Sequence, residues 1–395
     1  MPGGPRVAVV GGSLGGVTAG LVLRDVGCDV QVFERSRSPL QERGAGIAVL
    51  DATVRYLVEH RVVALDGICT STDWLRYLNL DGSVQYEERR GYRFSSWNTI
   101  YRTLIDCLGE DRYRLGSEAV GFDQDESSVT VAFADGSSSR WDLLVGADGV
   151  GSTLRGLLLP EVAPRYAGYV AWRGTVSEDL LSPANFQALD GTITYQKFPD
   201  SHILVYPIPS KEGAVERGRR LMNFVWYRNV AVGEELRQLL TGRDGEVRGS
   251  SLPPGAARER YLEEIRLFAA RQMAPPIAEV VLGTEQPFVQ VIFDLEVGTM
   301  AFGRVCLIGD AAFAARPHAA AGTAKAAANA WALAEAMGAA GGDVVAALRR
   351  WEPSQLELGR NLVRRAREIG DRSQFGGQWV PGDPSLVFGL YGPGR

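Results

Sequence analysis

A chain of 395 residues with 45% apolar and 23% charged side chains has the make-up of an ordinary globular protein, which excludes a disordered, collagen-like or coiled-coil molecule. The formal charge of −5, from 42 basic and 47 acidic side chains, gives no electrostatic footprint for nucleic acid or an anionic membrane. The expected partner is therefore a small molecule, and the expected assembly a monomer or homodimer. Cys28, Cys69, Cys107 and Cys306 are scattered and never form CxxC, which implies reduced, buried thiols in a cytoplasmic protein without a metal site.

Residues 6 to 12, RVAVVGG, form a short β-branched run ending in glycine, and VTAGLVLRDV (17 to 26) has helical spacing. The apolar stretch from Val7 to Leu23 is interrupted by glycines and lacks a basic leader, so it reads as strand and helix rather than as a signal peptide. Between the two lies GGSLGG. Gly11 makes the tight turn, Gly16 lets helix and strand pack closely, and the helix N-terminus presents free N–H groups to a diphosphate. Ser13 stands where GxGxxG has its middle glycine, which a negative φ accommodates. DVQVFER then supplies a second strand ending at Glu34 and Arg35, where the carboxylate can accept ribose hydroxyl hydrogen bonds. The pattern predicts an adenine dinucleotide and leaves FAD and NAD both open at this point.

Further along, SRWDLLVGADGVGSTLR places Asp148 after the apolar strand 143–145, with Ser152 and Arg155 one and two turns on. Residues 166 to 230 read as several strands. In RLMNFVWYR, Met222, Phe224 and Trp226 share one face, opposite Leu221, Asn223, Val225 and Tyr227. Phe224 and Trp226, with Tyr195 on an earlier strand, are expected to roof a flat pocket. Residues 241 to 258, rich in Gly, Arg and Pro, read as a mobile surface loop. GRVCLIGDAAFAARPHAAAG places Asp310 after another buried strand, then Pro317, Ala321 and Gly322 ahead of an alanine-rich helix. Amides at that helix start suit negative charge on the pyrimidine edge of a reduced flavin. Residues 343 to 372 form a charged, periodic helix, and a Gly- and Pro-rich tail follows from Phe375.

In their order and spacing, these three segments resemble the dinucleotide, DG and GD motifs of the FAD-dependent group A aromatic monooxygenases, the p-hydroxybenzoate hydroxylase fold. The resemblance implies an α/β protein with a Rossmann-like FAD-binding domain from residues 1–72, 91–165 and 274–340. An inserted β-sheet substrate domain would comprise 73–90 and 166–273, and a C-terminal helix and tail 341–395. It further implies non-covalent FAD, NADH or NADPH as co-substrate, and O₂. Oxygen would pass from a flavin C4a-hydroperoxide to an electron-rich phenol-like or hydroxypyridine-like ring, in a pocket that excludes water. Epoxidation, Baeyer-Villiger insertion, oxidative decarboxylation, or dehydrogenase or oxidase chemistry without oxygen insertion are the alternatives. The FAD-binding candidates are Gly11, Ser13, Gly15, Gly16, Glu34, Arg35, Asp148, Asp310, Pro317, Ala321 and Gly322.

Besides Ser13, three positions depart from the family pattern. Phe313 replaces a common histidine after GDAA, Lys325 falls near the usual asparagine, and Trp97 falls where an arginine often opens a helix, with Arg102 offset from it. The catalytic candidates are His318, the one histidine inside a ligand motif, and Tyr206 beside Pro207 at a strand end. His318 is expected to accept a ring-hydroxyl proton near neutral pH. His60 reads as a helix-surface residue and His202 as the start of a strand. Arg316 stays outside the catalytic set, as either a ligand contact or a surface ion pair.

Overall fold

The computed structural model describes residues 4–40 and 46–395. Its first layer is a six-stranded sheet ordered Ala301–Phe302, Val305–Leu307, Leu143–Gly146, Arg6–Val10, Asp29–Phe33 and Tyr113–Arg114, parallel except at its first edge strand. These strands are short, β-branched and buried on both faces, as a sheet covered by helices must be. Helices Leu14–Asp25, Trp97–Leu108 and Gly322–Ala339 supply part of the cover, and a three-stranded sheet of Ala119–Gln124, Val129–Phe133 and Ser138–Trp141, with Phe133 and Trp141 against Phe33, supplies the rest. The carboxyl ends of the parallel strands carry the loops after Val10, Phe33, Gly146 and Leu307, the region where ligands bind in such sheets.

Gly11 turns the first of these loops with φ +108°, and a Cβ there would lie 2.2 Å from the Ala147 carbonyl oxygen. Gly16 packs the helix against that turn, where a Cβ would meet the Gly11 carbonyl oxygen at 1.8 Å. Ser13 caps the helix with φ −79°, so a side chain is accommodated, and its hydroxyl makes no capping bond.

The second layer is a mostly antiparallel sheet. Its order is Ser251–Leu252, Phe288–Glu296, Arg165–Ser177, Leu221–Asn229, Ser201–Ile208, Thr192–Phe198, Thr70–Leu78, Val84–Ser96 and Gly46–Ala48. It takes in more of the chain than expected. Phe288–Glu296, expected in the nucleotide-binding part, pairs along Arg165–Ser177, and Val84–Ser96 runs past residue 90 to pair with Gly46–Ala48. The outer face of this sheet packs on helices Glu259–Gln272 and Pro275–Leu282. Its inner face looks toward the nucleotide-binding layer. The segment 241–258 is pinned rather than loose, because Ser251–Leu252 joins the sheet edge and Leu252 and Ala257 are buried.

The helix Val344–Gln374 runs along the junction of the layers, its N-terminus capped by the Asp343 carboxylate accepting from the Ala346 N–H. Arg316 ties this junction together. It is buried, donates two bonds to Asp294 at 2.8 and 3.0 Å and a third to Asp371 at 2.6 Å. The expected surface ion pair or ligand contact is thus replaced by a buried structural one.

Candidate functional site

Two cavities lie at the carboxyl ends of the parallel strands. The smaller, about 250 Å³, is lined by Gly11, Ser13, Glu34, Arg35 and Asp148 among others. Glu34 is buried and points both oxygens at main-chain donors, Oε2 accepting from Gly12 at 2.9 Å and Oε1 from Ser36 at 2.8 Å. The strand-end carboxylate therefore braces the turn that would face a diphosphate, with lone pairs left for hydroxyl donors. Asp148 accepts from the Ser152 hydroxyl at 2.5 Å and from the Leu154 N–H at 3.2 Å, which fixes the loop and the short helix after it. Gly15 and Gly16 do not line the cavity. Their lack of a side chain serves helix packing, Gly15 against Ala326.

Arg155 joins the two loops. Buried, it donates to the Val150 carbonyl at 2.7 Å and to the Ala311 carbonyl at 3.1 Å. Asp310 sits in the second loop with its side chain half exposed, held at 2.9 Å by the fully buried Lys325 ammonium, which also donates to the Phe313 carbonyl. Lys325 and Asn329, the latter accepting from the Gly309 N–H at 3.0 Å, thus set the loop from beneath.

The larger cavity, about 430 Å³, lies between the inner face of the big sheet, the strand Gly46–Ala48 and the loop that starts at Pro317. Val150 lines it from the Asp148 loop, so that loop borders both cavities. Asp310, Pro317, His318, Ala321 and Gly322 line it from below, and Tyr195 and Tyr206 from the sheet. Phe224 and Trp226 do not. Strand parity turns them to the outer face, where Trp226 packs 4.8 Å from the Phe268 ring, and their neighbours Val225 and Tyr227 reach the cavity instead.

His318 is buried, with Nε2 2.7 Å from the Tyr169 hydroxyl. Burial first, then the neighbouring His202 and Arg316, push its pKa well below the usual imidazole value. The expected near-neutral proton acceptor is corrected by this environment. His318 is a neutral hydrogen-bonding group at pH 7. Tyr206 donates to the Gly46 carbonyl at 3.0 Å and stacks on Phe94, and burial raises its pKa. Its hydroxyl therefore holds the strand Gly46–Ala48 in place.

Several cavity residues escaped sequence reading. His202 is buried, bonds Ser373 at 2.5 Å, and is held by burial at a pKa of about 3. Trp379 stacks on it at 4.4 Å and donates to the Tyr77 hydroxyl at 3.0 Å, and Phe388 lines the same wall. Both come from the Gly- and Pro-rich tail, where isolated large aromatics were the available signal. Arg173 enters from the strand Arg165–Ser177.

An elongated ligand with a nucleotide at one end and a flat ring at the other suits two cavities bordered by one loop, with backbone rather than side chains at the turn between them. FAD has that form, and Gly11, Ser13, Glu34, Asp148, Asp310 and the 317–322 loop are the residues that would hold it. Among the described residues, no cluster of His, Cys, Asp or Glu has the arrangement of a metal site, and no helix is long and apolar enough to cross a membrane.

Residues 166–294 match the family model described as FAD binding domain-like. Over 98% of this chain and 96% of the relative, the sequence is 39% identical to 2,6-dihydroxypyridine 3-monooxygenase of Paenarthrobacter nicotinovorans. A solved structure of 2,6-dihydroxypyridine-3-hydroxylase from Arthrobacter nicotinovorans superimposes with a TM-score of 0.93, at 38% identity and covering 99% of this chain and 98% of that one. A 3-amino-4-hydroxybenzoate 2-monooxygenase of Streptomyces platensis is 29% identical over 93% of this chain and 88% of its own length.

Proposed function

We start from the fact that the chain belongs to the FAD-dependent aromatic monooxygenases, and we propose that its 430 Å³ cavity holds a hydroxylated six-membered ring, a hydroxypyridine or a phenol, for hydroxylation. The enzyme uses FAD, NADH or NADPH, and O₂. When bound, FAD supplies the electron transfer and oxygen activation that side chains cannot. The observation that carries the ring assignment is the wall of the cavity: Tyr195, Tyr227, Trp379 and Phe388 give flat apolar surface, while the neutral imidazoles of His202 and His318 offer hydrogen bonds without charge.

In this reading His318 orients a ring hydroxyl, with Tyr169 fixing the imidazole through Nε2. Tyr206 acts indirectly, by keeping the strand Gly46–Ala48 against the site. The tail residues Trp379 and Phe388 shut out water, which protects an oxygen-transfer step from waste as H₂O₂. A cytoplasmic enzyme without nucleic-acid or membrane partner, monomeric or homodimeric, is the reading that composition and the four free cysteines favour.

The direct test is a panel of hydroxypyridines and phenols offered to the FAD-loaded protein with NADH or NADPH. At least one ring is expected to accelerate nucleotide oxidation and to gain one atom of label from ¹⁸O₂. Acceleration without label would leave a dehydrogenase or oxidase, and label in a lactone or epoxide would move the enzyme to another oxygenation. For His318→Asn, the fold and FAD content are expected to hold. Product formed per NAD(P)H should fall about fivefold, the worth of one neutral hydrogen bond of about 1 kcal/mol, with H₂O₂ making up the difference. Unchanged coupling would assign His318 to loop shape alone.

A further inference from the structure

The strand Arg165–Ser177 turns Tyr169, Ala171 and Arg173 toward the inner face of the sheet. Register places them on successive rungs. Ala171 pairs with Tyr227, which pairs with His202. Arg173 pairs with Val225, which pairs with Leu204, and Thr175 pairs with Asn223, which pairs with Tyr206. Arg173 therefore stands one rung, about 7 Å of strand, from the imidazole wall. Room for a single ring lies between a cation on one side and neutral hydrogen-bonding groups on the other.

The cation's hydrogen-bond partners are neutral. Its Nη1 donates to the Gln290 side-chain oxygen at 2.8 Å and its Nη2 to the Gly46 carbonyl, both neutral acceptors. Its Nε is buried with no partner. Among the described residues no carboxylate lies within 4.0 Å of this half-buried side chain, whereas the buried Arg220 is paired with Glu178 and Asp190, and the buried Arg316 with Asp294 and Asp371. A guanidinium placed in an apolar cavity without a counter-charge is costly, and an incoming oxyanion relieves that cost. Arg173 also opposes the upward push of burial on the neighbouring Tyr206 hydroxyl, which shares the Gly46 carbonyl with it, and on that of Tyr227.

We propose that Arg173 is the specificity residue that selects a ring bearing an oxyanion, an ionised hydroxyl or a carboxylate, and sets that group on the side of the cavity away from His202 and His318. The inference rests on the ring reading of the cavity given above and narrows it to anionic rings. The planar fork of the guanidinium suits either oxyanion, since both present lone pairs in the plane of a ring or carboxyl group. A negative charge conjugated with the ring also raises the electron density that an electrophilic oxygen requires. A guanidinium that only pinned Gly46 would be indifferent to the charge of the ring, and this separates the two roles.

The test uses FAD-loaded wild type, Arg173→Gln and Arg173→Lys, with dissociation constants read from the perturbation of the flavin absorbance. Two matched pairs of probes distinguish the source of the charge: 3-hydroxybenzoate against 3-hydroxybenzamide for a carboxylate, and 2,6-dihydroxypyridine against resorcinol for an acidic ring hydroxyl. In wild type, the anionic member of at least one pair is expected to bind roughly 10- to 100-fold more tightly, the range for a charge-assisted hydrogen bond. That preference should vanish in Arg173→Gln and survive in part in Arg173→Lys, with FAD content checked in each. The pair that shows it identifies the oxyanion. No preference in wild type, a preference that persists in Arg173→Gln, or an equal weakening of all four probes would overturn the assignment, while ring-stimulated nucleotide oxidation would leave the monooxygenase reading standing. Failure of every ring to bind or to stimulate oxidation would overturn both.

Discussion

Lowering the pH from 7 to 5 is expected to remove about 2 kcal/mol of stability through the buried imidazole of His202, with a further loss of the same sign through His318. Burial depresses both, His202 to about 3 and His318 well below its usual value. The unfolded chain takes up protons near pH 6.5 where the folded one does not, so the stability these groups allow is complete above that pH and drains as pH falls toward their folded values. His202 contributes about 1.36 kcal/mol per pH unit below 6.5, or about 2 kcal/mol by pH 5, and His318 adds to the slope in the same direction. The acid-side loss of the carboxylates comes mainly below this window. Denaturant unfolding at half-unit pH intervals measures the slope, and His202→Gln combined with His318→Asn should flatten it even if the overall level drops. A flat wild-type profile between pH 7 and 5 would show that water or ligand solvates these rings.

Gly16→Ala is expected to yield protein that cannot retain FAD. The added methyl would sit 1.8 Å from the Gly11 carbonyl oxygen, and neither partner is a side chain that can turn away. Helix Leu14–Asp25 must lift from the turn, breaking the alignment of its N-terminal amides with the cradle. The loss should reach about 3 kcal/mol or more, the upper range for overpacking a rigid site. Gly156→Ala is the control, because a Cβ there meets nothing within 4 Å. Flavin content after reconstitution and the melting temperature decide the matter. A Gly16→Ala protein as yellow and as stable as wild type would mean that the turn is more compliant than its packing implies.

The nucleotide half was legible because its determinants are local. A β-branched strand, a glycine turn and a carboxylate at the next strand end lie within residues 6 to 35, and each is dictated by backbone geometry. The ring cavity was less so. Alternation in LMNFVWYRN separates two faces but both are apolar, since one packs on helices and the other on the cavity, so composition gave no reason to prefer Val225 and Tyr227 over Phe224 and Trp226. Lys325 looked like a departure from an asparagine pattern, and its burial beneath Asp310 is visible only once the loop is folded over it. His202 opens a strand outside any ligand motif, and the Ser373 and Trp379 that cover it lie some 170 residues further along the chain.

The wall formed by Trp379 and Phe388 has a bearing on the order in which this molecule becomes competent. Trp379 bonds Tyr77, three hundred and two positions earlier in the chain, and its carbonyl accepts from Lys197. Contacts of such separation close only after the strands they join are in place, because the entropy of a long loop is lost before the contact repays it. The glycine turn and the Glu34 carboxylate of the nucleotide cradle are local to residues 6 to 35, and Asp148 and Asp310 join them through the parallel pairing of 143–146 and 305–307, which does not involve the tail. A molecule halted between those stages would hold its flavin beside an open cavity and consume reduced nucleotide to make peroxide. Docking of the tail is thus expected to lower the share of reduced nucleotide lost as peroxide, which a chain ending before Trp379 would check.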